Sequence, residues 1–233
     1  MSPALGEMRV VDDLMERASR ALLATEYFEA EHLCLAALEK AFQGSDFERM
    51  SRIVMPLQES RRQRRQQAAD TGRVVVVSKA LPRASEIESG MYLVEPPLIG
   101  RQARTLRESA ERRRVPVIVI AREPLTRLGK WPIVAVGDGP RMPTSIRTYV
   151  DPPKMPPTAD WFLRTNELLG DAAISKVKAG PAAWRVDELM HFLDAHPDHE
   201  KLHQALEAEC RKAMGQPLPA RARPGPMDDP SSF

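Results

Sequence analysis

Four of the five histidines lie in one short stretch near the C-terminus: His191, His196, His199 and His203. His199 and His203 are four residues apart, and on a helix this spacing can bring two imidazoles to one metal ion. Their side chains border the apolar face of a predicted helix rather than a predicted cleft. We therefore interpret the histidines as solvated or boundary residues, and we predict neither a metal site nor a cofactor.

The arginines form two clusters that could bind an anion. The first is a short run whose members are all candidate anion-binding residues: Arg61, Arg62, Arg64 and Arg65. Such a run can contact the phosphates of a nucleic acid, or it can be the favourable positive charge at the end of a helix. Proteins that bind nucleic acids usually interleave aromatic residues with this charge, and none lies beside these arginines. Nucleic-acid binding is therefore the alternative hypothesis.

The second arginine cluster lies where a predicted strand runs into a predicted helix, at Gly100, Arg101 and Arg104. The first N–H groups of a helix have no partner within it, so α/β sheets commonly bind anions at such a place. The loop of residues 95–100 has one glycine, however, and lacks the spacing of a phosphate-binding loop. The helix also pairs arginine with glutamate four residues away, as a solvated helix does. A solvated face is the competing interpretation.

No residue pattern typical of catalysis is evident. The sequence has neither the serine, histidine and aspartate order of a hydrolase nor a nucleophile elbow. We therefore favour a protein that is not an enzyme.

The central third of the sequence has the period of β-strands. Five short segments rich in β-branched residues are separated by glycine, proline or polar residues: Val74–Val77, Met91–Val94, Val115–Ala121, Ile133–Val136 and Ile146–Val150. A predicted helix over about residues 98–113 implies a parallel crossover between the second and third strands, and short later links imply antiparallel neighbours. The apolar run at residues 117–120 indicates a central strand. We predict a mixed α/β fold: a small mixed sheet with one crossover helix, flanked by helices.

Two amphipathic helices are predicted in residues 14–42. Apolar residues recur every three or four positions, and small residues stand where the helices would touch: Leu14, Ala18, Ala21 and Leu22 in the first, and Ala30, Leu33, Cys34, Ala37, Leu38 and Ala41 in the second. Small residues let two helix axes approach closely, so the second helix can fold back on the first. Gly44 predicts a stop, and Ser45 a cap for a third helix through about Gln66.

This hairpin resembles one unit of the tetratricopeptide repeat (TPR), a device for binding other polypeptides. The matching residues are the small residue of the first helix, the aromatic after the turn, the alanine of the second helix and the closing pair: Ala18, Tyr27, Ala30 and Ala37-Leu38. Arg17 stands where leucine is usual, and Phe42 where the repeat ends in proline. Only one unit is evident.

The resemblance implies a protein partner. The residues that would meet it are Tyr27, Glu31, Cys34 and Leu35, provided that their face of the hairpin stays uncovered. A single unit cannot bury its own apolar face, so an ordinary hairpin that covers a core is the competing interpretation.

The clearest domain boundary predicted from the sequence is a proline-rich segment. Residues 151–157 contain four prolines, which prevent helix formation and impose an extended spacer. Beyond it, Thr158 can cap a helix that Gly170 ends, and Pro197 can open the last helix. The predicted domains are residues 1–72 (TPR-like hairpin and third helix), 73–150 (basic mixed sheet), 151–157 (linker), 158–214 (C-terminal helices) and 215–233 (disordered tail).

Composition and charge complete the picture. The sequence has 42% hydrophobic and 28% charged residues, which is typical of a globular protein. It has no apolar run near the roughly 20 residues of a membrane span, and its two cysteines are far apart. We therefore expect a soluble cytoplasmic protein without a membrane partner. The net charge is −5 in residues 1–60, +10 in residues 61–150 and −3 in residues 151–233. The basic centre either faces an anion or meets the acidic flanks.

We therefore predict a protein–protein interaction or scaffold module with a TPR-like helical surface. The alternative is a protein that binds nucleic acid or an anionic ligand through its arginine-rich centre. Self-association into a homo-oligomer stays open.

Overall fold

The computed structural model describes residues 3–138 and 143–216, without the side chains of residues 3–7. These ranges contain seven α-helices and five strands, which confirms the predicted mixed α/β class. In chain order they are α1 (Pro3–Leu23), α2 (Tyr27–Gln43), α3 (Phe47–Asp70), β1 (Val74–Val77), β2 (Gly90–Val94), α4 (Gly100–Arg112), β3 (Val117–Arg122), β4 (Trp131–Asp138), β5 (Pro143–Val150), α5 (Ala159–Lys176), α6 (Ala182–Ala195) and α7 (Glu200–Ala213). None of these helices is both long and apolar enough to span a membrane. The predicted disordered tail lies outside the described residues from residue 217 onward.

The chain divides into two compact units, each built from separate stretches of sequence. Of the described residues, the helical unit comprises 3–63, 177–190 and 200–216, and the sheet unit comprises 64–138, 143–176 and 191–199. The contiguous domains expected from the sequence stay a prediction.

The sheet unit contains a five-stranded mixed sheet in the order β1-β2-β3-β4-β5. Strands β1, β2 and β3 are parallel, whereas β4 and β5 are antiparallel to their neighbours. The middle strand is β3, and its residues 117–120 are all buried, as the uninterrupted apolar run predicts. The short links after β3 do join antiparallel strands.

Helices cover the two faces of this sheet differently. Leu106 and Ala110 of α4 pack in one core with Val94, Val119 and Val134 of β2, β3 and β4. Helix α5 packs against β4 and β5, where Trp161 meets Trp131 edge-on with ring centroids 6.0 Å apart. Because side chains alternate along a strand, Trp131 and Val134 point to opposite faces, so α5 lies on the face opposite α4. The α4 side of β5 is thus left without a covering helix among the described elements.

The turns of the helical unit show how its first three helices end and begin. Thr25 is left-handed (φ 60°), and the N–H groups of Thr25 and Glu26 close the end of α1. Ser45 (φ 55°) ends α2 in the same way. The predicted cap at Ser45 is therefore wrong, because that residue terminates the preceding helix. Asp46 caps α3 instead: its Oδ1 accepts the N–H of Arg49 at 3.0 Å.

Two further boundary predictions need correction. Gly170 does not end α5, which continues to Lys176. A β-carbon at Gly170 would lie 2.1 Å from His199 Cγ, so this glycine makes room for a packed ring rather than stopping the helix. The last helix starts at Glu200 rather than at Pro197. Thr158 does cap α5 as predicted, since its Oγ1 accepts the N–H of Trp161 at 3.2 Å.

Candidate functional site

The four candidate partner-binding residues of the hairpin differ in accessibility. Glu31 and Cys34 are buried, Tyr27 is half-buried, and Leu35 is exposed. Burial raises the pKa of the Cys34 thiol to about 12, which keeps it protonated and unreactive at neutral pH. Only Tyr27 and Leu35 thus leave surface on which a second polypeptide could rest.

Glu31 is buried because it belongs to a polar network inside the helical unit. Its Oε1 accepts a hydrogen bond of 2.8 Å from Arg61 Nε on α3. The Nη1 group of the same guanidinium lies 3.2 Å from His203 Nε2 on α7. A guanidinium can only donate, so His203 Nε2 is the acceptor and carries no proton there. The network joins α2, α3 and α7 and gives Arg61 a structural role.

The other three arginines of the predicted anion-binding run are also engaged with carboxylates. Arg62 donates to Glu59, Arg65 donates to Glu167 at 2.6 Å, and Arg64 lies 3.8 Å from Glu111. Each of the four guanidinium groups therefore faces a carboxylate of its own chain. Sequence reasoning could not foresee this, because Glu31 and Glu167 are 30 and 102 residues from their arginines.

The remaining anion-binding candidates, Gly100, Arg101 and Arg104, do come together. They line one open cleft of about 450 Å³ in the sheet unit. One wall is the first half of α4 and the other is strand β5, so we call it the α4–β5 groove. The groove lies where a strand-to-helix loop opens α4, which is the position expected from the sequence.

The floor and far wall of the α4–β5 groove come from β4 and β5. Gly100 sits on Val134 and Val136, whose Cγ atoms are 3.1–3.3 Å from the place of its missing β-carbon. A β-carbon at this position would crowd both valines by a few tenths of an ångström. Ser145 and Arg147 pair with these two valines and therefore point to the same face. The alternation of β5 was readable in the sequence, but the sequence did not reveal which strand flanks α4.

Most charges around the α4–β5 groove are paired. Arg104 donates to Glu108 at 2.7 Å and to both carboxylate oxygens of Asp194, and Arg147 donates to Glu123 at 2.9 Å. Burial alone would raise the pKa of Asp194, but its hydrogen bond and charge pairing with Arg104 lower it overall. Arg104 is thus held in place, and it is less available to an incoming anion than the sequence indicated.

Arg101 differs from these paired arginines. Its side chain is exposed and has no ion-pair partner within the described ranges. The backbone N–H groups of Gly100 and Arg101 likewise have no acceptor in the described part of the chain. The N–H of Ile99, by contrast, donates to Gln102 Oε1 at 3.0 Å. The amino end of α4 thus offers donors to the groove.

Three of the four histidines are neither solvated nor at a boundary, which corrects their interpretation, whereas His191 is half-buried. His196, His199 and His203 are all buried. Residues 199–203 also match the H-E-x-x-H pattern of zinc hydrolases, with Glu200 in the second place, which our interpretation of the sequence overlooked. In that pattern both histidines stand on one helix, but His199 precedes α7, and only His203 lies within it.

The buried histidines contact protein groups. His199 Nε2 lies 3.3 Å from an oxygen of Glu167 and 3.3 Å from one of Asp171, both on α5. His196 Nε2 is 3.0 Å from the carbonyl of Asn166, and burial lowers its pKa to about 3. Across the ranges 3–138 and 143–216, no three His, Cys, Asp or Glu side chains are arranged to hold a metal ion.

Comparison with known proteins finds no match to this chain among family models, curated proteins or solved structures.

Proposed function

We propose that this protein is a protein–protein interaction or scaffold module. The observation that carries the proposal is the open α4–β5 groove: α4 covers one part of the sheet face and leaves the β5 part accessible. A second polypeptide laid beside α4 would complete the layer that α4 begins. A cytoplasmic location stays a prediction from the sequence.

The residues around the α4–β5 groove support a polypeptide partner. Val136 supplies half-buried apolar surface, Ile99 projects at the amino end of α4, and Tyr149 lies further along β5 on the same face. Arginine and tyrosine are enriched in protein interfaces, where they combine apolar area with directed hydrogen bonds. Arg101 and Tyr149 would be the corresponding anchors.

The TPR-like hairpin is part of the same proposal in a restricted form. Because Glu31 is held by Arg61 and Cys34 is buried, a partner would meet the hairpin through Leu35 and the exposed part of Tyr27. The hairpin would then add surface to an interaction module whose best-formed cleft is the α4–β5 groove. The resemblance to the repeat is the support for this part.

A groove-filling variant tests the proposal. Ser145→Trp places a bulky ring in the α4–β5 groove, whereas Ser175→Trp changes an exposed serine of α5 that does not line it. Tagged full-length chains are used to purify partners, which are quantified by mass spectrometry. We expect a partner retained by the native chain and by Ser175→Trp, and reduced about tenfold by Ser145→Trp. Equal recovery with both variants, or no reproducible partner, contradicts the proposal.

Binding of a small anionic ligand is the second candidate function. It is favoured by one observation: the exposed Arg101 side chain shares the amino end of α4 with two N–H groups that have no acceptor among residues 3–138 and 143–216. The positive end of the helix dipole adds to their attraction for an anion.

A salt titration separates this candidate from the first. Binding of a labelled single-stranded oligonucleotide and of inorganic phosphate is measured for Arg101→Gln and for the control Arg83→Gln, an exposed arginine paired with Glu86. If Arg101 contacts phosphate, its loss reduces the slope of log affinity against log salt by about 0.7. No binding of either probe at low salt excludes this candidate.

A further inference from the structure

Two leucines project into solvent from the loop that joins β3 to β4. Leu125 is 57% exposed and Leu128 is 89% exposed. Isolated exposed apolar residues are ordinary, but these two share one loop of the sheet unit. We call residues 123–130 the β3–β4 finger.

The β3–β4 finger is held in a defined shape by its own hydrogen bonds. The N–H of Thr126 donates to Lys130 O at 2.9 Å, and the N–H of Gly129 donates to Thr126 O at 3.0 Å. Thr126 Oγ1 accepts the N–H of Lys130, and Gly129 supplies the left-handed residue (φ 71°). At its base the N–H of Glu123 donates to Pro132 O. The two leucines are therefore presented by a preorganised loop, which lowers the entropy cost of binding.

The charge of the finger is basic. Arg127, between the two leucines, is exposed and has no ion-pair partner in the part of the chain that the structure describes. Lys130 is neutralised by Asp151 at 2.6 Å. Among the described residues the finger thus has one cation without an ion-pair partner, far fewer than the four to eight that mark an anionic lipid surface, so an apolar protein cleft with acidic groups at its rim is the better fit.

The helical unit carries a cleft of this kind. An open groove of about 390 Å³ lies at the base of the hairpin, where the start of α1, the end of α2 and the start of α3 meet. We call it the α1–α3 groove. Met8, Val11 and Phe47 give it an apolar lining, and Met214 closes one side. A cavity of roughly 150 Å³ holds a molecule of benzene size, so this groove has room for two leucine side chains.

The rim of the α1–α3 groove complements the finger in charge. Asp46 and Glu48 line it, together with Lys40. Asp46 is paired with Arg49, but the exposed Glu48 has no ion-pair partner among the described residues. The Glu48 carboxylate beside the apolar groove is thus opposite in charge to the Arg127 guanidinium between the two leucines.

We propose that the β3–β4 finger of one copy of this protein inserts into the α1–α3 groove of a second copy. Leu125 and Leu128 fill the groove, and Arg127 pairs with Glu48 at its rim. The contact joins two different surfaces, so its repetition gives either a closed assembly, the smallest being a dimer in which each finger enters the groove of the other copy, or an open chain of copies. It uses residues outside the α4–β5 groove and holds whether or not that groove binds a partner.

Sedimentation velocity of the full chain over a range of concentrations tests this inference. We expect the average mass to rise above that of a monomer as concentration increases. Leu125→Ser with Leu128→Ser weakens association about tenfold or more. Leu23→Ser is the matched control, because this leucine is 86% exposed in the helical unit and lies outside both surfaces. A monomer at every concentration, or an equal effect of Leu23→Ser, overturns the proposal.

Charge exchange and mixing give an independent readout. Arg127→Glu and Glu48→Arg each weaken association, and the chain with both changes recovers it. The finger variant with two serines keeps its groove, and Met214→Trp, which places a bulky ring in the groove, keeps its finger. Mixing these two inactive chains yields a one-to-one complex and nothing larger. Failure of both the double exchange and the mixture shows that the finger does not enter the groove.

Discussion

At the scale of single residues, burial decides what each charged group can do. Arg61 was a candidate for anion binding, yet its guanidinium is buried beside Glu31 and His203. A buried cation is stable only while a neighbouring group offsets its charge. The same contact explains why the acidic residue of the hairpin face is not available to a partner. Arg61 and Glu31 therefore belong to the packing of the helical unit.

Removal of one partner of this pair gives the first prediction. Glu31→Gln removes the buried carboxylate that accepts the Arg61 Nε hydrogen bond, and we expect the free energy of unfolding to fall by about 3 kcal/mol. Urea unfolding followed by circular dichroism measures the change. The double variant Glu31→Leu with Arg61→Met is the control, because an apolar pair of similar size carries no buried charge. A double variant that is less stable than Glu31→Gln contradicts this account.

The histidines of the H-E-x-x-H match lead to a second prediction at this scale. His203 Nε2 accepts from Arg61, and His199 Nε2 is next to Glu167 and Asp171. A zinc ion would have to displace an arginine and rearrange His199, which precedes α7. We expect one equivalent of Zn²⁺ to leave the melting temperature of chelator-treated protein unchanged in differential scanning fluorimetry. A rise of several degrees that a chelator reverses would reveal a metal site in this segment.

At the scale of elements, the helix ends show where local sequence was informative. Helices α1, α2 and α4 each end at a left-handed residue that is not glycine: Thr25, Ser45 and Arg114. At each one, backbone N–H groups close the last turn of the helix. Glycine was an uneven guide to helix ends in this chain: Gly44 follows the last residue of α2 as predicted, whereas Gly170 lies within α5.

Gly170 gives the prediction for this scale. Alanine normally stabilises a helix by about 1 kcal/mol relative to glycine. Here its β-carbon would lie 2.1 Å from His199 Cγ, so the ring must move out of a buried site. We expect Gly170→Ala to lower the free energy of unfolding by about 2 kcal/mol. In a His199→Ala background the clash is absent and Gly170→Ala should no longer destabilise. Equal effects in both backgrounds would show that the ring is not the cause.

The strands and α4 could be predicted because their patterns are local. Val-Ile-Val-Ile at residues 117–120 required burial on both faces, and β3 is the central strand. Gly100, Arg101 and Arg104 could be placed together because a strand end and a helix start fix their position. The partners of Arg61 and Arg65 could not, since each lies on a distant element. The far wall of the α4–β5 groove likewise depends on strand order, which spacing alone did not specify.

At the scale of the whole molecule, the segregated charge of the sequence is largely matched within each unit. In the sheet unit, Arg104 pairs with Asp194, and Arg65 pairs with Glu167. In the helical unit, Arg49 pairs with Asp12 and Asp46. The basic centre therefore meets carboxylates of its own chain. This weakens the case for a nucleic-acid surface and leaves Arg101 and Arg127 as exceptions among the residues discussed.

Titratable groups make the stability of the molecule depend on pH. In mildly acidic solution, His196 makes the free energy of unfolding fall as pH falls. Burial lowers its pKa to about 3 in the folded chain, and the charges of His199 and Arg107 add to the effect. In the unfolded chain a histidine has a pKa of about 6.5. As pH falls through that value, the unfolded chain binds a proton at this histidine that the folded chain does not bind. The contribution is complete above about pH 6.5 and is lost progressively toward pH 3.

We therefore expect the free energy of unfolding to fall by about 1.4 kcal/mol per pH unit from this one group between pH 6 and pH 4.5. The pKa of Glu167 is lowered by its hydrogen bond to His199, and that of Asp194 is lowered by Arg104, so their contributions are lost at lower pH than this window. Chemical unfolding at a series of pH values measures the slope. His196→Gln can still donate a hydrogen bond to the Asn166 carbonyl but cannot gain a proton. The slope of its free energy of unfolding against pH should therefore be smaller by about 1.4 kcal/mol per pH unit, which corresponds to one proton. His32→Gln, at an exposed histidine of α2, should keep the native slope. If His196→Gln and His32→Gln gave the same slope, the buried imidazole of His196 would not be the group that links folding to pH.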